Sequence, residues 1–317
     1  MTTDWTETDV PDQTGRTVVI TGANSGLGLE TARVFARHGA HVVLACRDPR
    51  KADDARQRIL AETPDAHLGT LELDLASQTS VRRAAHRITT DIPHLDLLIN
   101  NAGALIRRYA VTEDGFETTF ATNHLGAFAL TGLVLNSLRS TPNSRVVTVS
   151  SVGHRRGVMD FDDPNAAREF HSHQAYFQSK LANLLFAYEL QRRLTEADAC
   201  TISVAAHPGN ARTAFGGDQR MIRIATGQRL RWATSWLMQD PRLSALATVR
   251  AAVDPTATGG EYFGPDGRNE WTGHPVQVDS IPRSHDVGDQ RRLWELSESL
   301  TGVRYPLRVR SAAHPPV

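Results

Sequence analysis

Tyr176 and Lys180 stand four residues apart at the start of a stretch with helical apolar spacing, YFQSKLANLLFAYELQRRL. Residues at i and i+4 project from one helix face. A phenol titrates near pH ~10 and is a poor acid or base at neutrality. A neighbouring ammonium stabilises the phenolate and lowers that pKa. A tyrosine so poised can hand a proton to a developing alkoxide or take one from an alcohol. Surface Tyr–Lys pairs with this spacing are common. Here, however, Lys180 is one of only two lysines among 35 basic residues, the other being Lys51. A position needing charge alone would be arginine in this chain, and arginine does not tune or shuttle protons.

A second chemistry lies near the N-terminus. The apolar run TVVIT leads into Thr21-Gly22-Ala23-Asn24-Ser25-Gly26-Leu27-Gly28, and a helical pattern follows. Such a strand-to-helix turn offers backbone N–H groups at a positive helix end, which suits a pyrophosphate. Gly22 permits the tight turn, Gly26 lets backbone approach the ligand, and Gly28 lets the helix pack against the sheet. An ordinary glycine-rich turn is the alternative; the strand before and the helix after favour dinucleotide binding. The next strand, HVVLA, ends in Cys46-Arg47-Asp48. An acid at that point takes the ribose hydroxyls of NAD, whereas an arginine accommodates the 2′-phosphate of NADP. Cys46 holds the acid position and Arg47 follows, with Lys51 one turn on, so NADP(H) is expected ahead of NAD(H). The alternative leaves Arg47 solvated and gives the ribose to Asp48. No basic residue stands at Asn24 or Ser25. A third group, Ser150-Ser151, closes the run RVVTVSS, and hydroxyls at the carboxyl edge of a parallel sheet face the ligand crevice. They also simply terminate a strand.

The spacing T-G-x-x-x-G-x-G, with Y-x-x-x-K far downstream, resembles the short-chain dehydrogenase/reductase family. The likeness covers roughly residues 14–265. It implies that Ser151 polarises a substrate carbonyl with Ser150 in support, that Tyr176 is the acid/base, and that Lys180 tunes it and holds ribose hydroxyls. Asn123 in TNHLGAF matches the family's helix asparagine, which holds a water in a proton relay; a helix cap is the alternative. Asp74-Leu75 matches the residues at the adenine edge, unless Asp74 caps the following helix. Asn100-Asn101-Ala102-Gly103 matches the N-N-A-G turn, so Asn101, Ala102 and Gly103 line the adenosine-ribose side. Pro208-Gly209 and Thr213 match the turn that touches the nicotinamide. Ser151 precedes Tyr176 by 25 residues, a long spacing similar to that of retinol-dehydrogenase-like and protochlorophyllide-reductase-like members. The resemblance implies hydride transfer between nicotinamide and a ketone, aldehyde or alcohol. Reduction of an activated C=C bond and a non-catalytic NADP(H) sensor are the other readings.

These groups need a scaffold. Apolar runs at 17–21, 41–45, 68–73, 95–99, 145–150, 201–206 and 259–263 alternate with helical patterns such as 27–38 and 52–61. Near-continuous Val/Ile runs suit strands buried on both faces. The alternation predicts a doubly wound parallel α/β sheet of Rossmann type, about seven strands in order 3-2-1-4-5-6-7, flanked by helices on both faces. The expected organisation is a flexible tail over 1–14, a single catalytic domain over 15–300 and a C-terminal tail over 301–317. Within the domain, 152–175 is a substrate loop and 212–245 a lid. The lid carries Phe215, Met221, Ile222, Trp232 and Trp236, which suits a bulky apolar substrate. Residues 264–285 read as loop, and 289–300 as one more helix.

Among 317 residues, 40% are hydrophobic and 22% charged, enough for a soluble core. Basic and acidic residues balance at 35 each, so nucleic acid is not an expected partner. No window suits a membrane span, and the acidic start has no signal-peptide core. Two cysteines, Cys46 and Cys200, exclude a disulfide scaffold and read as packed small residues in a reducing, cytoplasmic setting. His171 and His173 lack a third ligand at a telling spacing, so no metal is expected. The partner is a small molecule, with a homodimer possible through exposed apolar segments.

Overall fold

The computed structural model describes residues 4–210 and 239–307. Strand β1 (Thr17–Thr21) is buried along its whole length, as a central parallel strand must be. It runs into α1 (Gly26–Arg37). Then follow β2 (His41–Cys46), α2 (Pro49–Glu62), β3 (Leu68–Glu72), α3 (Gln78–Asp91) and β4 (Leu97–Asn100). Helix α4 (Thr118–Phe120) continues through a π-helical turn (Ala121–Leu125) into α5 (Gly126–Arg139). The chain proceeds through β5 (Arg145–Val149), a 3-10 turn (Val152–Arg156), the long α6 (Ser172–Glu196) and β6 (Ile202–Ala206). It closes with α7 (Pro241–Val253), β7 (Tyr262–Pro265), β8 (Pro275–Gln277) and α8 (Val287–Thr301).

The sheet order is β3-β2-β1-β4-β5-β6-β7-β8. The order expected for seven strands holds, and an eighth is added antiparallel to β7, with Phe263 opposite Gln277. Residues 264–285 are thus not all loop. Strand β8 has only three residues and begins with a proline, too short for any alternating pattern to mark it. Helices α1 and α7 cover one sheet face; α3, α5 and α6 cover the other. Strand order reverses at β1 and β4, which places their carboxyl ends at the crevice where open α/β sheets bind ligands.

The chain ends depart from the expected tails. Val10 and Gln13 are buried, Glu7–Asp9 forms a 3-10 turn, and Trp5 packs against the core. Helix α8 and the residues after it cover α5 and α6. Trp294 meets Phe128 edge-on at 5.2 Å, Tyr305 lies 4.3 Å from Trp294, and Val303 is buried. Apolar anchors embedded in polar sequence hold residues 5–13 and 301–307, which local composition does not reveal. Trp294→Ala should destabilise the fold by about 3–5 kcal/mol, the scale for deleting a buried aromatic. A denaturant midpoint shift at unchanged m-value checks this. No helix among the described residues is long and apolar enough to cross a membrane.

Candidate active site

The glycine turn and the turn after β4 are built against each other. Gly22 has φ +68°, and a Cβ there would sit 3.0 Å from Ala102. A Cβ on Gly28 would lie 2.4 Å from the Gly22 carbonyl oxygen and 2.5 Å from the Asn101 amide nitrogen. Neither position accepts a side chain, which is what a backbone cradle for phosphates requires. Asn101 Nδ2 donates to the Thr21 carbonyl at 2.8 Å, and the Asn101 and Ala102 amides donate to Thr21 Oγ1 at 3.0 Å. Ser25 is the N-cap of α1 but its side chain fills no cap, so the first-turn N–H groups are left for another acceptor. Asn24 and Leu27 are half-buried beside it. This cradle fits the pyrophosphate of a dinucleotide.

At the end of β2, Cys46 is buried and its sulfur accepts from the Ala23 and Asn24 amides. Burial pushes the thiol up to about 11. Arg47 is exposed at the end of β2. Asp48 is the N-cap of α2, its carboxylate accepting from the Arg50 and Lys51 amides at 3.0 and 3.4 Å. Asp74 does not cap α3; Ser77 does. One Asp74 oxygen accepts from the Ala76 amide, and Leu75 is buried with its carbonyl against Gly126. Cys200, expected to be packed, is exposed because it follows a turn beyond the end of α6.

Ser151, Tyr176 and Lys180 converge at the carboxyl end of β5. Ser151 caps the 3-10 turn, its Oγ accepting from the Gly153 amide at 3.1 Å, and it hydrogen-bonds the Tyr176 hydroxyl. Ser150 is buried and donates to the Lys180 carbonyl at 2.8 Å. Lys180 is buried, and Nζ donates to the Val149 carbonyl at 3.0 Å. Desolvation lowers its pKa to about 8. Tyr176 is half-buried, and the crowding of its hydroxyl raises its pKa against the opposing hydrogen bond from Ser151. The expectation that Lys180 depresses the phenol is therefore not met in the protein alone. Nζ sits 5.8 Å from the ring centroid and points to a carbonyl. A phenol that keeps its proton at neutrality is equipped to donate it.

Asn123 sits in the π-helical turn, which turns it inward; Glu117, not Asn123, caps the helix. Its Oδ1 accepts from the Ala104 amide, and its Nδ2 donates to the Ala104 carbonyl and to Ser179 Oγ. Ser179 in turn donates to the Tyr176 carbonyl. Asn123 thus clamps the segment after Gly103 onto the helix that carries Tyr176. Sequence reasoning overlooked Ser179 and Asn183. Asn183 donates to the same Val149 carbonyl as Lys180, at 3.1 Å. A polar residue at i+3 from Lys180 within an apolar run was the available signal.

The Pro208–Gly209 turn follows β6, next to β5. Thr213 lies outside the described residues, as does most of the expected lid; 239–245 lead into α7. The loop 157–171 is irregular and fastened to its neighbour: Asn165 Oδ1 accepts from the Glu117 amide at 2.9 Å, and Phe170 meets Tyr109 edge-on at 5.5 Å. A cleft of about 410 Å³ runs along this loop, lined by Asp160, Asp163, Arg168 and Glu169 but not by Tyr176. Val158, Ala166 and Ala175 also line it, and none of Ser151, Tyr176 and Lys180 does. His171 pairs with Glu169, and His173 lies near Phe177.

A proton-holding phenol, a serine hydroxyl and a buried amine, set beside a phosphate cradle at a sheet's carboxyl edge, can serve hydride chemistry at a carbon–oxygen bond. The sequence profile of the short chain dehydrogenase family matches residues 16–220. Retinol dehydrogenase 13 of Homo sapiens is 39% identical over 296 residues, 92% of this chain and 86% of that protein. Retinol dehydrogenase 14 of Mus musculus is 41% identical over 303 residues, 91% of this chain and 86% of that protein. A crystal structure of an uncharacterised protein from Mycobacterium paratuberculosis superposes with a TM-score of 0.79 at 42% identity, covering 96% of this chain and all of that one. From profile, relatives and geometry together, the chain belongs to the short-chain dehydrogenase family and is an oxidoreductase of its retinol-dehydrogenase-like branch.

Proposed function

We propose that the protein is an NADP(H)-dependent oxidoreductase that interconverts a ketone or aldehyde and an alcohol on a bulky, largely apolar small molecule. The convergence of Ser151, Tyr176 and Lys180 beside the Gly22–Gly28 cradle carries this reading. The names of its relatives, retinol dehydrogenases, support an alcohol-to-carbonyl reaction. Gly22, Asn24, Ser25, Gly26, Leu27 and Gly28 form the turn that would hold the pyrophosphate, through those amides not already donated, as those of Gly22 and Asn24 are, to the Ala45 carbonyl and the Cys46 sulfur. Asp74, Leu75, Asn101, Ala102 and Gly103 would flank the adenosine, and Pro208 and Gly209 the nicotinamide end. The bound cofactor supplies or receives the hydride.

In the reducing direction, the carbonyl oxygen accepts hydrogen bonds from Ser151 Oγ and the Tyr176 hydroxyl. With hydride supplied by the cofactor to the carbonyl carbon, the C=O π pair would move onto oxygen and take the Tyr176 proton. Ser151 stabilises the developing charge. Lys180 is the residue that would hold the ribose hydroxyls of the bound cofactor. Asn123 and Ser179 keep the Tyr176 backbone fixed during transfer.

Three local facts favour NADP(H) over NAD(H): a buried thiol holds the acid position, Asp48 is spent on capping α2, and Arg47 is exposed beside both. Arg47→Ala should weaken NADPH binding by about 1.5–3 kcal/mol, the range for a hydrogen bond to a charged group, and leave NADH binding unchanged. Calorimetric titration with both cofactors checks this; equal weakening removes Arg47 from the role. Turnover of aldehydes and ketones with 4-deuterated NADPH tests the reaction itself. Deuterium must appear on the former carbonyl carbon, and a panel that yields no alcohol refutes the assignment.

A further inference from the structure

His207 separates β6 from the Pro208–Gly209 turn, and its ring is fully buried. The Gly209 amide donates to Nδ1 at 3.2 Å. A backbone N–H can only donate, so Nδ1 carries no proton. Nε2 lies 3.0 Å from a carboxylate oxygen of Glu270, on the loop between β7 and β8. Burial favours the neutral ring, so the proton resides on Nε2 and is donated to Glu270. The other Glu270 oxygen accepts from Arg155. Arg155 belongs to the 3-10 turn that Ser151 caps, and its neighbour His154 places Nδ1 2.7 Å from the Ser151 carbonyl.

One carboxylate therefore ties the Pro208–Gly209 turn to the Ser151 turn. Its backbone is held in an unusual state. Asn269 and Glu270 both have positive φ, 55° and 58°, which a glutamate adopts only when its surroundings impose it. The same segment grips the turn from outside: the Asn210 amide donates to the Trp271 carbonyl at 2.7 Å, and Gly209 abuts that oxygen so closely that a Cβ would come within 2.4 Å of it.

We propose that Glu270 is a positioning residue for the nicotinamide end of the cofactor, acting through a single His207 tautomer and, through Arg155, keeping that turn in register with Ser151. This rests on the NADP(H) reading above. A hydrogen-bond partner that fixes the tautomer and orientation of an imidazole sets the geometry of whatever that ring supports.

The test compares the full-length parent with Glu270→Ala and Glu270→Gln, binding either NADP+ or 2′-phospho-ADP-ribose, which lacks the nicotinamide. Glu270→Ala should weaken NADP+ about tenfold and leave 2′-phospho-ADP-ribose unchanged, with kcat reduced by a similar factor. Glu270→Gln should recover most of the NADP+ affinity, because its carbonyl oxygen still accepts from Nε2–H, but not the link to Arg155, because its NH2 group cannot accept from the guanidinium. Equal weakening of both ligands, or parent-like NADP+ binding by Glu270→Ala, overturns the positioning role alone. A parent that binds neither ligand removes the cofactor reading and this inference together. Should Glu270→Ala not fold, the imidazole 15N shifts of the parent decide: a neutral Nε2–H tautomer for His207 at pH 7 is required, and an Nδ1–H tautomer or an imidazolium refutes it.

Discussion

Tyr176→Phe is expected to cut kcat by at least about 100-fold while leaving the fold and dinucleotide affinity intact. General acid catalysis contributes ~10²–10⁴-fold, and this substitution removes the proton without removing the ring. The local structure makes it a clean experiment. The ring is half-buried beside Phe177, so phenylalanine keeps that packing. Ser151 Oγ loses its phenol partner but still accepts from the Gly153 amide. The helix backbone stays pinned through Ser179 and Asn123. Single-turnover rates with pre-bound cofactor separate the proton step from binding. Turnover near the parent rate would mean that another group donates the proton.

Lys180→Met should abolish turnover to a similar degree and yet stabilise the protein at neutral pH. Among the described residues the buried ammonium donates to the Val149 carbonyl, and burial has brought its pKa from 10.5 to about 8. At 1.36 kcal/mol per unit, holding the charged form costs on the order of 3 kcal/mol of stability. The sign follows from proton counts. Below pH 8 both folded and unfolded states carry the proton, and the full penalty is present. Between 8 and 10.5 the unfolded state binds more protons, so parent stability rises with pH. Above 10.5 the penalty is gone. Methionine, of similar length and apolar, carries none. Thermal melts should therefore place Lys180→Met above the parent at pH 7, with the gap narrowing as pH rises through that window. A variant less stable than the parent at pH 7 would show that the ammonium is better satisfied than that bond implies. Such an exchange of stability for reactivity is common where a charge is buried for chemistry.

Much of the site is legible in the order of residues. The glycine turn is legible because Gly22 and Gly28 are required by contacts that any such cradle makes with its own backbone and the adjoining turn. The Tyr176–Lys180 spacing is legible because a helix carries residues four apart on one face. The sheet order was within reach because Val/Ile runs alternating with helices, joined by right-handed crossovers, leave few topologies. Local pattern, close-range sterics and helical period are properties of neighbouring residues.

Other features depend on residues far apart in the chain. The phenol's raised pKa and the direction of Lys180 Nζ follow from how β5 and α6 pack, and a spacing rule is blind to both. Asp48 could have been a ribose ligand or a helix cap, and only its contacts with the Arg50 and Lys51 amides decide. Both chain ends looked like polar tails, but sparse anchors such as Val10 and Tyr305 dock residues 5–13 and 301–307 on distant surfaces. The link between Glu270 and His207 spans 63 residues and has no motif, since a carboxylate and an imidazole in separate loops mean nothing until the sheet brings their loops together. Short-range chemistry was thus written in the order of residues, whereas charge state, hydrogen-bond partner and long-range support were settled by tertiary packing, because each depends on desolvation and contact across the fold.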